Sequence, residues 1–413
     1  MLKLNAFLIG YLTLFGLSAL TNFVLERLNI KNLRRHGAEV PAGFDLDAAT
    51  LEKMRDYTVA GSRFGSVERL YADVLILVIL LSGLLPWYDG LVAGHGLIGS
   101  GLLFFAGYML FTGCLSLPFE LYHDFVLEKR FGFSTITLRL WLADLGKTLL
   151  VGAVVLGIFL SVILGLIKLA PQTWWLWGWA FYLGFQLLMV WLYPVLIAPL
   201  FNRFTPIDAP ELEAGIRQLA EKAGMNVSGV FKMDAGTRSR HSNAYFTGFG
   251  RTKRIVLFDT LIAGHSTAEI LAVLAHELGH FKLGHIKKQL ALGAAGALLG
   301  FYVAWAALSG ELLYASFGLD QASTYAGLLV LSLILKPVLF FVAPLTAMLS
   351  RRFERQADRF AFDLTGSSEP LAAGLKRLAA DNLANLHPHP AYAWFHYSHP
   401  PLVERVRYLE ALR

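Results

Sequence analysis

His276 and His280 stand four residues apart in the stretch A-V-L-A-H-E-L-G-H-F-K-L-G-H, residues 272–285. On a helix they project from one face, about a turn apart. Two imidazoles so placed can share one tetrahedral metal, and Glu277 beside them can carry a proton. That pairing suits metal-assisted hydrolysis, which needs a third protein ligand and leaves the fourth position to water. His285 is a nearby candidate. The longer H-E-x-x-H-x-x-G-x-x-H pattern, however, wants a histidine where Ile286 stands, so His285 is read as structural. Glu354 is the better candidate, in R-R-F-E-R-Q-A-D-R-F-A. It shares a helix face with Asp358, so that one carboxylate can ligate a metal while the other hydrogen-bonds an imidazole ligand. Alone, this stretch would be a charged helix face with Arg351, Arg355 and Arg359 as partners. Beside H-E-x-x-H it completes a site of two histidines and one glutamate.

The elements that hold these residues are apolar. Of 413 residues, 55% are hydrophobic and only 16% charged. Soluble domains carry about 25% charged residues, so the chain reads as a membrane protein. The net charge is +6, but the basic residues sit between apolar runs instead of forming a patch interleaved with aromatics. They are topology signals, and no nucleic-acid partner is expected. The single cysteine, Cys114, excludes a disulfide framework and is expected to be a small buried hydrophobe.

Residues 4–25 are apolar and too long for a typical signal-peptide core, so a retained transmembrane helix is expected. Further apolar runs follow at 70–86, 97–117, 147–169, 174–200, 289–309 and 326–349. Region 1–200 thus holds five spans, with a basic cytoplasmic loop at 26–69. Region 201–288 reads as a metalloprotease insertion, with a helix over 209–224 capped by Asp208 and strands at 229–233, 244–249 and 254–258. Its H-E-x-x-H helix is expected to run on into the sixth span, where Gly293, Gly296 and Gly300 suggest close helix packing. Region 289–349 holds spans six and seven, and 350–413 is a cytoplasmic tail that contributes Glu354. Loops 26–69, 118–146, 201–288 and 350–413 carry the basic residues. The positive-inside rule therefore puts the amino terminus outside and the metal motif on the cytoplasmic side. Lys336, deep in the seventh run, should face protein or water, and Pro344 can kink that helix.

The chain resembles integral-membrane zinc metalloproteases of the CAAX prenyl protease 1 type along nearly its whole length. The resemblance is carried by L-P-F-E-L-Y (117–122), F-V-L-E-K-R-F-G-F (125–133) and P-V-L-I-A-P-L-F-N-R-F (194–204). It continues in S-N-A-Y-F-T-G-F (242–249), H-E-L-G-H (276–280), E-R-Q-A-D (354–358) and S-H-P-P-L-V-E-R-V (398–406). It implies a mainly α, polytopic protein with about seven transmembrane helices around a chamber and a small α+β zinc-metalloprotease domain. It implies one Zn²⁺ per chain, held by residues matching His276, His280 and Glu354, with Glu277 as general base. His399 and Arg405 match a region near substrate and zinc, and Asn243, Ala244, Tyr245 and Phe246 match a segment that binds substrate as an added strand.

These assignments agree with the chemistry of the residues. Glu277 would take a proton from water and pass it to the leaving amine, and His399 or Arg405 would stabilise the oxyanion. An edge strand over Ala244–Gly248 would hold an extended peptide through its main chain. The expected activity is that of a zinc-dependent metalloendopeptidase acting on a peptide or protein prenylated at its C terminus, with membrane lipid as the other partner. The short loops and Ala-, Gly- and Leu-rich composition point to a bacterial inner membrane, or to the endoplasmic reticulum if the source is eukaryotic. One alternative is a bacterial quality-control or processing protease that needs no prenyl group. Another, of a different class, is a channel or scaffold with a relic metal site; the intact Glu277 argues against it.

Overall fold

The computed structural model of the chain describes residues 3–225, 229–247, 254–320 and 323–412. Its helices in chain order are α1 (Ala6–His36), α2 (Ala48–Leu81), α3 (Leu84–Val92), α4 (Gly96–Tyr122), α5 (Glu128–Phe131), α6 (Leu138–Leu169), α7 (Trp174–Leu192) and α8 (Ala198–Phe201). They continue as α9 (Pro210–Lys222), α10 (Asp259–Gly264), α11 (Thr267–Lys282), α12 (His285–Ser309) and α13 (Glu311–Phe317). The last four are α14 (Thr324–Thr365), α15 (Glu369–Asp381), α16 (Pro390–His396) and α17 (Leu402–Ala411). Among the described residues six helices are long and apolar enough to span a membrane. The count is seven if α2 and α3, bent by 63° at a short break, form one span.

Several helix starts follow from local chemistry. The Asn5, Asp47 and Thr137 side chains each accept a backbone N–H in the first turn of α1, α2 and α6, which satisfies a donor the helix itself cannot. The expected Asp208 cap of α9 is replaced by an opening at Pro210, with Ala209 as the preceding residue. The stretch expected as a loop, 26–69, is largely helical, because α1 and α2 run past their apolar segments on polar residues that are good helix formers. Two π-helical turns, His123–Leu127 and Tyr193–Ile197, interrupt the ends of α4 and α7.

Four strands, β1 (Phe204–Pro206), β2 (Gly229–Met233), β3 (Ala244–Thr247) and β4 (Arg254–Phe258), form one sheet in the order β1-β2-β4-β3. β2 and β4 are parallel and the outer pairs antiparallel, with Tyr245 opposite Val256. β3 is therefore an edge. The last two residues of the strand expected over 244–249 lie outside the described residues.

Two large hydrophobic cores, besides a small cluster of Met233, Ala235 and Val256 on the sheet, gather the described residues. One gathers Ile216, Ile255, Leu257, Ile270, Leu274 and Leu278 with Phe44, Leu51 and Phe133 from earlier in the chain and Ala361, Val406 and Leu409 from later. The 201–288 segment thus shares its core with the flanking regions. The other lies among the spans, around Phe104, Leu164, Phe317 and Val330. α14 crosses from one core to the other, which is how a residue after the seventh apolar run reaches the H-E-x-x-H helix.

Two expectations are corrected here and a third holds. Gly293, Gly296 and Gly300 have no neighbour within 4 Å of a Cβ built on them, so they pack no helix. Gly293 and Gly296 instead line a cavity of about 890 Å³ with Arg69, Gln289, Phe340, Thr346 and Ser398. Close approach falls instead on other glycines of the spans, among them Gly101, Gly107, Gly178 and Gly327, where an added Cβ would meet side chains at 3.0 Å or less. Cys114 is exposed on α4, a surface that faces lipid in a span, because a thiol of low polarity is at home there too. Lys336, as expected, finds a polar partner, with its Nζ 3.9 Å from Asp73 on α2. Lys336→Leu should still insert and fold, costing no more than about 1 kcal/mol, because the pair is loose and half-exposed. Detergent-solubilised yield and the melting temperature measure this, and an aggregated variant that never inserts would contradict a polar interior at that depth.

Candidate metal centre

α11 begins with a capping box in which Ser266 and Glu269 satisfy each other's backbone N–H. Three residues before its end comes Gly279, the glycine of H-E-L-G-H. A Cβ there would lie 3.1 Å from both Ala357 Cα and Phe360 Cδ1. Glycine therefore lets α11 press against the α14 backbone and sets the spacing between the histidines of one helix and the carboxylates of the other.

At that contact His276 Nε2 lies 3.4 Å from Glu354 Oε2, and His280 Nε2 lies 3.2 Å from Glu354 Oε1. The two Nε2 atoms are 3.1 Å apart. One ligand atom from each of His276, His280 and Glu354 fits within a 4.8 Å circle, the only such group among the described residues. The residues around it fix the other ring nitrogens. His276 Nδ1 is 2.7 Å from Asp358 Oδ1. His280 Nδ1 is 3.1 Å from His285 Nδ1, and His285 Nε2 is 2.9 Å from Gln356 Oε1. His285 also stacks on Phe353, with ring centroids 4.2 Å apart. It is thus fully committed to neighbours and stands outside the three-residue group.

Arg405 closes the far side. Its Nε and Nη2 donate to the two oxygens of Asp358, and Nη1 lies 3.5 Å from Glu354 Oε2. Burial alone would push the His276 imidazole down. The hydrogen bonds to Asp358 and Glu354 overcome it and hold the group up at about 9. The cluster therefore favours positive charge between its carboxylates. Glu354 Oε2 is buried without a hydrogen-bond partner. Two imidazole nitrogens facing each other and an orphaned carboxylate oxygen make a donor set that fits a divalent metal.

Glu277 is half-buried and, among the described residues, makes no hydrogen bond or ion pair, although its charge is felt by Arg405. His399 presents a largely exposed ring, with Nε2 3.3 Å from Glu354 Oε1. The cavity that holds Gly293 and Gly296 reaches Ser398, the residue before it.

The segment 243–246 sits on the edge strand β3, which packs against α11. Asn243 C=O accepts the Phe258 N–H, so by antiparallel alternation the main-chain groups of Ala244 and Phe246 face the free edge. The Ala244 N–H is held meanwhile by Asn243 Oδ1.

The entry to this strand is anchored by residues that the sequence reading missed. His241 lies 3.0 Å from both Glu128 Oε2 and Asn382 Oδ1 and stacks on Phe133 at 3.9 Å. The Ser242 N–H donates to the same Asn382 oxygen. Burial lowers the His241 pKa, but Glu128 and Asn382 outweigh it and raise the group. Glu128 lies within the F-V-L-E-K-R-F-G-F stretch, the only hint the sequence held of this network.

Asp358→Asn tests the support of His276. An amide can replace the shape but not the charge that grips both His276 and Arg405. Metal affinity should fall about 10–100-fold, the usual range for such a supporting partner. Titration with a competing chelator measures it, and an unchanged affinity would show that Asp358 serves folding alone.

Two family models match the chain in tandem: a CAAX prenyl protease N-terminal region with five membrane helices over residues 29–203, and peptidase family M48 over 206–413. The CAAX prenyl protease 1 homolog of Arabidopsis thaliana is 38% identical over 378 residues, 87% of each chain. The CAAX prenyl protease 1 homolog of Homo sapiens is 33% identical, over 89% of this chain and 87% of its own. The crystal structure of S. mikatae Ste24p superposes with a TM-score of 0.89 at 29% identity, covering 97% of this chain and 99% of that one.

Proposed function

The chain belongs to peptidase family M48, in its CAAX prenyl protease 1 group, and from that premise we propose that His276, His280 and Glu354 hold one zinc ion for peptide hydrolysis at the cytoplasmic face of the membrane. It is a multi-pass membrane metalloprotease. The observation that carries the metal assignment is the convergence of two imidazole Nε2 atoms on a buried, unpartnered carboxylate oxygen. When bound, zinc supplies Lewis acidity, which polarises a scissile carbonyl and acidifies water.

The chain's own residues do the rest. Glu277, the carboxylate beside this cluster with no partner of its own, takes a proton from the attacking water and delivers it to the nitrogen of the leaving amine. Asp358 holds His276 in the tautomer whose Nε2 is free, and His285 does the same for His280. Arg405 is gripped along one edge, Nε and Nη2, by Asp358 and has Nη1 beside Glu354, so we assign it to positioning. His399, whose largely exposed ring brings Nε2 to the edge of the cluster beside Glu354, is then the group that donates to a developing oxyanion. β3 takes the peptide as an added strand through the outward groups of Ala244 and Phe246, with Tyr245 and Asn243 holding the strand to the sheet and to its entry turn.

The substrate proposed is a protein prenylated near its C terminus, from which the last three residues are removed. This reading comes from the names of the relatives together with the cavity that opens beside His399. By the positive-inside rule, the basic residues of the loops support an amino terminus on the outer side and the metal group on the cytoplasmic side. Matched farnesylated and unmodified peptides ending in the same four residues test the substrate. Faster release of the tripeptide from the farnesylated one is expected. Equal kcat/KM on both would remove the prenyl requirement while leaving the protease assignment standing.

A further inference from the structure

α1 carries cations at Arg27, Lys31, Arg34 and Arg35, spaced i, i+4, i+7 and i+8, hence on one face. Arg63 of α2 turns toward the same groove, whose volume is about 890 Å³. The remaining lining is apolar and includes Phe23, Val24 and Leu28, and no acidic residue contributes to it. We propose that this groove binds the headgroup of an anionic glycerophospholipid.

Three observations carry it. The first is charge without partners: among the described residues none of the five cations makes an ion pair, and Arg27 only covers the Phe23 ring. Elsewhere on the protein cations are commonly neutralised, as Arg55 is by Glu52 and Asp56, Arg217 by Glu213 and Arg238 by Asp144. The second is mutual repulsion. Arg27 and Lys31, and Lys31 with Arg34 and Arg35, stand at helix spacings where like charges destabilise each other. A topology signal needs only the number of cations in the segment, not their convergence from two helices on one groove. An external anion relieves that repulsion.

The third is position. The basic stripe starts directly after the apolar part of α1, and Phe23 and Val24, both exposed, lie one helical turn earlier on the same face. From Arg27 to Arg35 the helix rises about 12 Å, enough to cross one leaflet's headgroup layer of about 5–8 Å. A phospholipid lying along this face would rest its acyl chains on Leu20, Phe23 and Val24 and bring its phosphate to Arg27, Lys31 and Arg63. The opposite face of α1 buries Asn22, Leu25, Asn29 and Leu33 against the protein, so the groove is the side the helix turns outward. None of this depends on the protease reading.

The test uses the full-length protein in a neutral detergent and counts retained lipid by native mass spectrometry. Wild type should retain phosphatidylglycerol over phosphatidylcholine by about tenfold, because clustered surface cations attract an anionic headgroup over a zwitterionic one. The triple variant Arg27→Gln/Lys31→Gln/Arg34→Gln should lose that preference. Arg63→Gln, a single exposed change on the second helix, should lower it about threefold with an unchanged melting temperature, and it decides the matter should the triple variant fail to insert. Removing the paired cations Arg217 and Arg359 should leave it unaltered. Equal retention of the two lipids by wild type would overturn the proposal, as would undiminished phosphatidylglycerol in the groove variants or an equal loss in the Arg217 and Arg359 control. Displacement of the lipid by millimolar glycerol phosphate would overturn it in favour of a free-phosphate site.

Discussion

Replacing Glu277 by glutamine should lower peptide hydrolysis by about 10²–10⁴-fold while the protein keeps its metal and its melting temperature. Glutamine has the same shape but cannot accept a proton at neutral pH, so the change removes only the acid–base function. The neighbourhood explains why little else should move. Glu277 makes no hydrogen bond or ion pair among the described residues. The flanking histidines are held from the other side, His276 by Asp358 and His280 by His285. A loss of metal in parallel with activity would show that Glu277 supports the cluster instead of the reaction. Activity equal to wild type would sink the proton-transfer role outright, and with it the strongest sequence argument against a channel or scaffold with a relic metal site. The measurement is hydrolysis of a fluorogenic peptide beside metal content by mass spectrometry.

The histidine-bearing face of α11 was legible in the sequence because it needs nothing beyond helical periodicity. His276, Glu277 and His280 take their relative positions from one helix, and so do Glu354 and Asp358 from another. What brings the two helices together was less visible. Gly279 lies inside the motif, yet its role is to admit Ala357 and Phe360, which a local pattern cannot announce. The break between α11 and α12 was missed for a related reason. Gly284 adopts a φ of +69°, and a lone glycine after a long helical pattern reads equally well as tolerated. His285 therefore begins a new helix and turns back toward His280. The support of the β3 edge was the least legible. His241 pairs with Glu128, 113 residues earlier, and with Asn382, 141 residues later, and neither partner is encoded near it. The glycines of α12 misled for the opposite reason, since small residues at that spacing serve either a packed interface or a cavity wall, and here Gly293 and Gly296 line the cavity.

Glu354→Ala should abolish metal retention, reducing affinity by more than the about 10–100-fold that a supporting partner costs. The choice between Glu354 and His285 as third ligand turns on geometry that can be stated atom by atom. Glu354 presents one oxygen to each histidine Nε2, at 3.4 and 3.2 Å, and its Oε2 has no hydrogen-bond donor of its own. His285 faces the wrong side of His280: its Nδ1 meets Nδ1, and its Nε2 is held by Gln356. Its ring lies flat against Phe353, with an interplanar angle of 9°. To ligate, His285 would have to break both hydrogen bonds and leave that stack. His285→Ala should accordingly keep one metal per chain, with affinity lowered only within the range for a supporting partner. Glu354→Ala also strips Arg405 of one of its two carboxylates, so it is paired with Glu354→Gln, which keeps the volume and one neutral oxygen. Metal lost in both Glu354 variants and kept in His285→Ala assigns the third ligand. Full retention in Glu354→Ala with loss in His285→Ala would transfer that role to His285 and require the end of α11 to rearrange on metal binding.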